Sequence, residues 1–124
     1  MVKSIASRTA TLLIAVAASV ISTHASAHAA LTSAEPGVDA TLASAPSEIH
    51  LTFSEALEVR FSSIHVVDAL GHRVDAGSAS ADANDDAQLH LALAKLSAGH
   101  YTVQWSALSK DGHRTRGSYG FTVR

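Results

Sequence analysis

Ile49-His50-Leu51-Thr52-Phe53 alternates apolar with polar side chains, and a period of two puts Ile49, Leu51 and Phe53 on one face of an extended strand. The same period returns along the chain. Ile64 and Val66 flank His65; Leu89, Leu91 and Leu93 alternate with His90 and Ala92; Tyr101, Val103 and Trp105 form another such face, and so do Tyr119, Phe121 and Val123. Turn signals separate these runs at Pro36-Gly37, Ala45-Pro46, Leu70-Gly71, Ala98-Gly99 and Asp111-Gly112. Short strands of this kind make antiparallel sheets with one buried face, and several of them in a small chain predict a β-sandwich. Leu89 to Leu96 is apolar enough for a helix, but its strict alternation ahead of Gly99 favours a strand. Asp75 to Gln88 is rich in Ala, Ser, Asp and Asn and reads as a mobile surface loop; its Asn84-Asp85-Asp86 cluster lacks the spacing of a calcium loop and reads as solvated.

The chain has 124 residues, 47% hydrophobic and 16% charged, enough for one small globular domain. It has no cysteine, which excludes disulfides, thiolate metal sites, cysteine catalysis and lipid attachment through a thiol. A formal charge of −2 and nine scattered basic residues leave no electrostatic footprint for nucleic acid.

Residues 1–27 have the grammar of a secretory signal peptide. Lys3 and Arg8 make a positive start, Ala10 to Ile21 is uncharged and mostly apolar, and Ala25-Ser26-Ala27 is a small-residue cleavage signal. The apolar run is short for a membrane span, so the mature chain is expected not to cross one. Cutting after Ala27 gives a domain of 97 residues, 28–124, with a charge of −4 and seven histidines; cutting before Ala30 also satisfies the small-x-small rule. The single methionine is Met1, so the mature domain has neither thiol nor thioether for a soft monovalent copper ion.

Three elements could carry metal chemistry. An N-terminal His28 would offer two nitrogens from one residue, its α-amine and its imidazole, a donor pair that suits divalent copper. Asp111-Gly112-His113 puts a carboxylate and an imidazole two residues apart, on the same side of an extended segment, with Gly112 giving room for an ion or a tight bend. Ser54-Glu55 follows the Ile49 to Phe53 strand, where Glu55 could reach an ion as an outer carboxylate. Each taken alone also has an ordinary reading, as a leftover of cleavage, an Asp-Gly turn and a surface glutamate. His50, His65, His90 and His100 occupy the polar phase of their strands and are expected outside any site. His72, beside Gly71, is a spare for a weak second one.

Taken together these residues resemble the CopC family of secreted copper-binding proteins. The resemblance runs through His28-Ala-Ala-Leu31 and Ser33-Ala-Glu-Pro36, Pro46 to Leu57 as P-S-E-I-H-L-T-F-S-E-A-L, Ala98 to Val103 as A-G-H-Y-T-V, and Trp105 to Phe121 with S-K-D-G-H and G-S-Y-G-F. It implies an all-β, single-domain Greek-key sandwich of seven or more strands, of immunoglobulin-like or cupredoxin-like barrel type. It also implies a high-affinity Cu(II) site whose ligands map onto His28, through amine and imidazole, onto His113 and Asp111, and onto Glu55 as a nearby carboxylate. Some members hold Cu(I) in a methionine-rich segment; the corresponding residues 67–74 here read V-D-A-L-G-H-R-V. The expectation is therefore a Cu(II)-only member, not an enzyme, that acts as a monomeric periplasmic copper carrier or buffer and hands the ion to an inner-membrane importer of the CopD type. The competing readings are a copper-dependent oxidative enzyme built on a histidine chelate and a metal-free immunoglobulin-like accessory domain.

Overall fold

Alternation at Ile49, Leu51 and Phe53 becomes the inner rung of a two-sheet sandwich in the computed structural model, which describes residues 28–124. The proposed signal peptide, residues 1–27, lies outside the described residues. Eight strands follow in chain order: β1 Leu31–Glu35, β2 Thr41–Leu42, β3 Glu48–Phe53, β4 Ser63–Asp68, β5 Ser80–Asp82, β6 Asp85–Ala92, β7 Gly99–Leu108 and β8 Arg114–Val123. One sheet has the order β1-β3-β6-β5 and the other β2-β8-β7-β4. Only β5–β6 and β7–β8 are successive strands of one sheet; every other connection crosses between the two, which gives the Greek-key character. The pairing is antiparallel except for β2, which runs parallel to β8 through Thr41 opposite Thr122 and Leu42 opposite Val123.

Inner faces of both sheets supply the core: Ile49, Leu51 and Phe53 from β3, Leu89 and Leu91 from β6, Ile64 and Val66 from β4, Tyr101 and Val103 from β7, and Tyr119, Phe121 and Val123 from β8. Burying these side chains between two sheets is what holds the sandwich together in a chain without disulfides. Two members of the expected apolar faces sit differently. Leu93 is half-buried beyond the end of β6, bridged to Asp75, and Trp105 is half-buried, its ring edge-on to Phe53 at 5.2 Å. Trp105 can lie there because its partner across the sheet is Gly117: a Cβ at that position would stand 2.5 Å from the indole.

The reading of Asp75 to Gln88 as a loop is corrected. Its second half forms β5 and the start of β6, joined by a hairpin at Asp82 and Asp85, and Asp85 accepts hydrogen bonds from Ala87 N and Gln88 Nε2. A polar strand near a sheet edge buries too little to show a hydrophobic period, so ladder hydrogen bonds rather than side chains define it. The helical content of the described residues is one short 3-10 turn, Val59–Phe61.

Candidate metal centre

β7 and β8 are joined by a tight turn that carries Asp111 and His113. Ser109 N donates to the His113 carbonyl at 2.9 Å and Gly112 N to the Ser109 carbonyl at 3.0 Å; Gly112 has φ +91°, a conformation that glycine adopts without strain. The turn is also held from the side. Lys110 N donates to the Ala56 carbonyl, Glu58 N to the Leu108 carbonyl, and Leu57 bridges to Ser109. Ser109 is the organising side chain: it is 1% exposed, and its hydroxyl contacts both the Asp111 carboxylate and, at 3.1 Å, the His113 carbonyl.

Asp111 and His113 are tied to each other. His113 N donates to Asp111 Oδ1 at 3.3 Å, and His113 Nδ1 lies 3.2 Å from the same oxygen. The Ser109 hydroxyl holds the Asp111 carboxyl below its ordinary carboxylate range, helped by the His113 N–H and ring and outweighing the opposite effect of desolvation. With a proton on Nδ1 directed at this carboxylate, Nε2 of His113 would keep a free lone pair. That is how a carboxylate orients a histidine for a metal.

His28 comes to the same place from the other sheet's end. Ala29 is fully buried and its carbonyl accepts from Thr115 Oγ1 at 2.8 Å. Ala30 N donates to Ser54 Oγ at 2.8 Å, and Ser54 N donates back to the Ala30 carbonyl at 2.8 Å. These bonds clamp residues 29 and 30 between the end of β3 and the start of β8, and His28, exposed, meets His113 edge-to-face with ring centroids 4.7 Å apart. The structure thus brings His28, Asp111 and His113 together. Glu55, half-buried, follows the clamping Ser54 at this end of the sandwich.

No group of three or more His, Cys, Asp or Glu side chains is arranged to hold an ion among the described residues. The expected ligand set also includes the His28 amine, and with residue 27 attached that nitrogen is a peptide nitrogen rather than an amine. The donor chemistry itself, imidazole and carboxylate without sulfur, fits a divalent ion of the copper type. Ser109 and Thr115 were not singled out by sequence reasoning: a serine before a turn and a threonine in a strand carry no signal until the hairpin places them.

The other five histidines of the described residues lie on β3, β4, β6 and β7 and in the turn after β4. His72 is exposed, its Nδ1 3.7 Å from Asp68 Oδ2; His65 Nδ1 lies 3.8 Å from the buried side chain of Asp75; His100 faces Thr122; His50 and His90 stack on the outer face of β3 and β6. No helix among the described residues is long and apolar enough to cross a membrane.

Fold and site define a two-sheet sandwich with an imidazole-carboxylate cluster at one end. The profile of the CopC domain matches residues 31–124. The chain is 38% identical over 99 residues to protein YobA of Escherichia coli K12, covering 79% of this chain and 80% of that one. It superposes on the crystal structure of CopC from Methylosinus trichosporium OB3b with a TM-score of 0.73 and 34% identity, covering 77% of this chain and 93% of that one. PcoC, a methionine-rich copper resistance protein from Escherichia coli, matches with a TM-score of 0.69 and 35% identity over 79% of this chain and 100% of that one. The chain belongs to the CopC family of copper resistance proteins.

Proposed function

We propose that this protein is a periplasmic Cu(II) carrier or buffer, not an enzyme, that binds one ion at the end of the sandwich where His28 meets His113. Membership of the family gives it a copper-related role. The observation that carries the finer reading is the 4.7 Å approach of the His28 and His113 rings, with residue 29 buried immediately behind them. Removal of residues 1–27 converts the His28 nitrogen into an amine, so that amine and imidazole chelate from one side. Nε2 of His113 supplies the facing nitrogen, Asp111 holds that ring or reaches the ion itself, and Glu55 stands by as an outer carboxylate. The absence of methionine after Met1 favours Cu(II) over Cu(I), in contrast to the relative described as methionine rich. A carrier with one open, exposed site at the tip of a rigid sandwich can pass its ion to an inner-membrane importer by ligand exchange at that tip.

A Cu(II) competition titration tests this on two forms of the domain, one beginning at His28 and one with a single residue ahead of it. Tight one-to-one binding by the first and much weaker binding by the second is the expected result. Equal affinities would remove the α-amine from the ligand set, and turnover with copper, reductant and a polysaccharide would replace the carrier with an oxidative enzyme.

A further inference from the structure

The register of β3 against β6 places His50 directly opposite His90, and their rings stack with centroids 4.1 Å apart at an interplanar angle of 25°. Both are half-buried on the outward face of the β1-β3-β6-β5 sheet, the face that contributes nothing to the core. Carboxylates flank the pair from two strands. His90 Nε2 lies 3.7 Å from Asp82 Oδ2 on β5, and His90 Nδ1 lies 3.9 Å from Glu48 Oε1 on β3. His50 Nε2 is bonded to Gln88 Oε1 at 2.7 Å.

The 3.7 Å gap between His90 Nε2 and Asp82 Oδ2 is too long for a hydrogen bond, yet it is within the reach of two metal–ligand bonds of about 2.0 to 2.2 Å each. An imidazole on the neighbouring strand stands one ring-stack away. We propose that His50, His90 and Asp82 form a second, weaker Cu(II) site on this face, built from three adjacent strands and separate from the one at the tip. Two imidazole nitrogens and one carboxylate oxygen, completed by water, make the nitrogen-oxygen set that tetragonal Cu(II) prefers, and among divalent ions copper binds such sets most strongly. His50 must turn from Gln88 to join, which the broad terminal torsion of an imidazole permits. The three side chains do not converge until that bond to Gln88 is given up, and this makes the site the weaker of the two. Ser54 is four steps along the chain from His50, roughly 13 Å at the usual rise, so the two ions would be held independently.

The test is Cu(II) titration of the domain beginning at His28, alongside its His113→Ala, His50→Ala, His90→Ala and His100→Ala variants. The wild type and His100→Ala should take up two equivalents; His50→Ala and His90→Ala should each lose the weaker one. In His113→Ala the weaker equivalent should persist, and substoichiometric Cu(II) should broaden the amide resonances of residues 48–52 and 88–92. His50→Gln and His90→Gln, which keep a polar side chain on the sheet, give the same readout should alanine disturb the strands. A weaker equivalent retained in both histidine variants, none in His113→Ala, or broadening centred on His72 would overturn the proposal, whatever happens at the tip.

Discussion

Replacing Ser109 with Ala removes a hydroxyl that sits inside the fold and contacts both Asp111 and the His113 carbonyl. The bond to the carbonyl is neutral and 3.1 Å long, and a bond of that kind contributes about 1 kcal/mol net. Its loss leaves the carbonyl still paired with Ser109 N at 2.9 Å and a void of one oxygen atom, so little is added for cavity formation. Water replaces the bond to the exposed carboxylate, which therefore matters for position rather than stability. A domain of this size that loses about 1 kcal/mol should melt roughly 4–8 °C lower. Copper is affected differently: freeing Asp111 loosens the carboxylate that aims His113, and losing such an outer partner weakens metal binding about 10- to 100-fold. The Asp111 carboxyl should also titrate higher than in the wild type, because the largest influence holding it down is gone. Calorimetric melting, Cu(II) competition and carbon-detected NMR titration read the three effects. A lower melting temperature with unchanged copper affinity would refute the positioning role of Ser109, and an unmoved Asp111 titration would refute the assigned cause of its low pKa.

His113→Ala should weaken the tight Cu(II) equivalent far more than His90→Ala or His100→Ala, with Asp111→Asn intermediate and Glu55→Gln mildest; competition titrations rank them, and equal affinities would be the contrary result. Cu(II) should raise the melting temperature of the domain, by up to about 4 kcal/mol of stability at a thousandfold excess over Kd, whereas Ag(I) should do little; the Cu(II) shift should fade on acidification as protons take the nitrogens. Asp75, whose side chain is 1% exposed, is pushed up by burial but held below its ordinary value by Arg73 Nη2 at 2.6 Å and by Val66 N. A depressed carboxyl adds stability that is complete above its unfolded pKa, about 3.9, and is lost as pH falls through the lower folded value, so Asp75→Asn should flatten the acid end of the stability profile. The Tyr119 hydroxyl is buried without a hydrogen-bond partner among the described residues, and burial, with the charge of Glu35 behind it, pushes the phenol up to about 12. Tyr119→Phe should therefore leave stability unchanged or raise it by on the order of 1 kcal/mol in urea denaturation.

From residue order alone came the strands that face the core on one side. Ile49, Leu51 and Phe53, or Tyr119, Phe121 and Val123, cannot be buried together except on one face of an extended chain, so period two settles them locally. The Asp111-Gly112 turn and its neighbour His113 were legible for the same reason, since turn chemistry depends on adjacent residues. Strands β1, β2 and β5 were not, because their identity lies in which backbone they pair with rather than in any pattern of side chains. Nor could spacing bring residue 28 beside residue 113: the clamp by Ser54 and Thr115 exists only after β3 and β8 have taken their places in opposite sheets. His50 and His90 show the limit best. Sequence places both on the polar phase of their strands, forty residues apart, and only the β3–β6 register stacks them. Contacts between distant segments are set by strand order and register, which emerge from the burial of the whole core at once and are written in no single stretch of the chain.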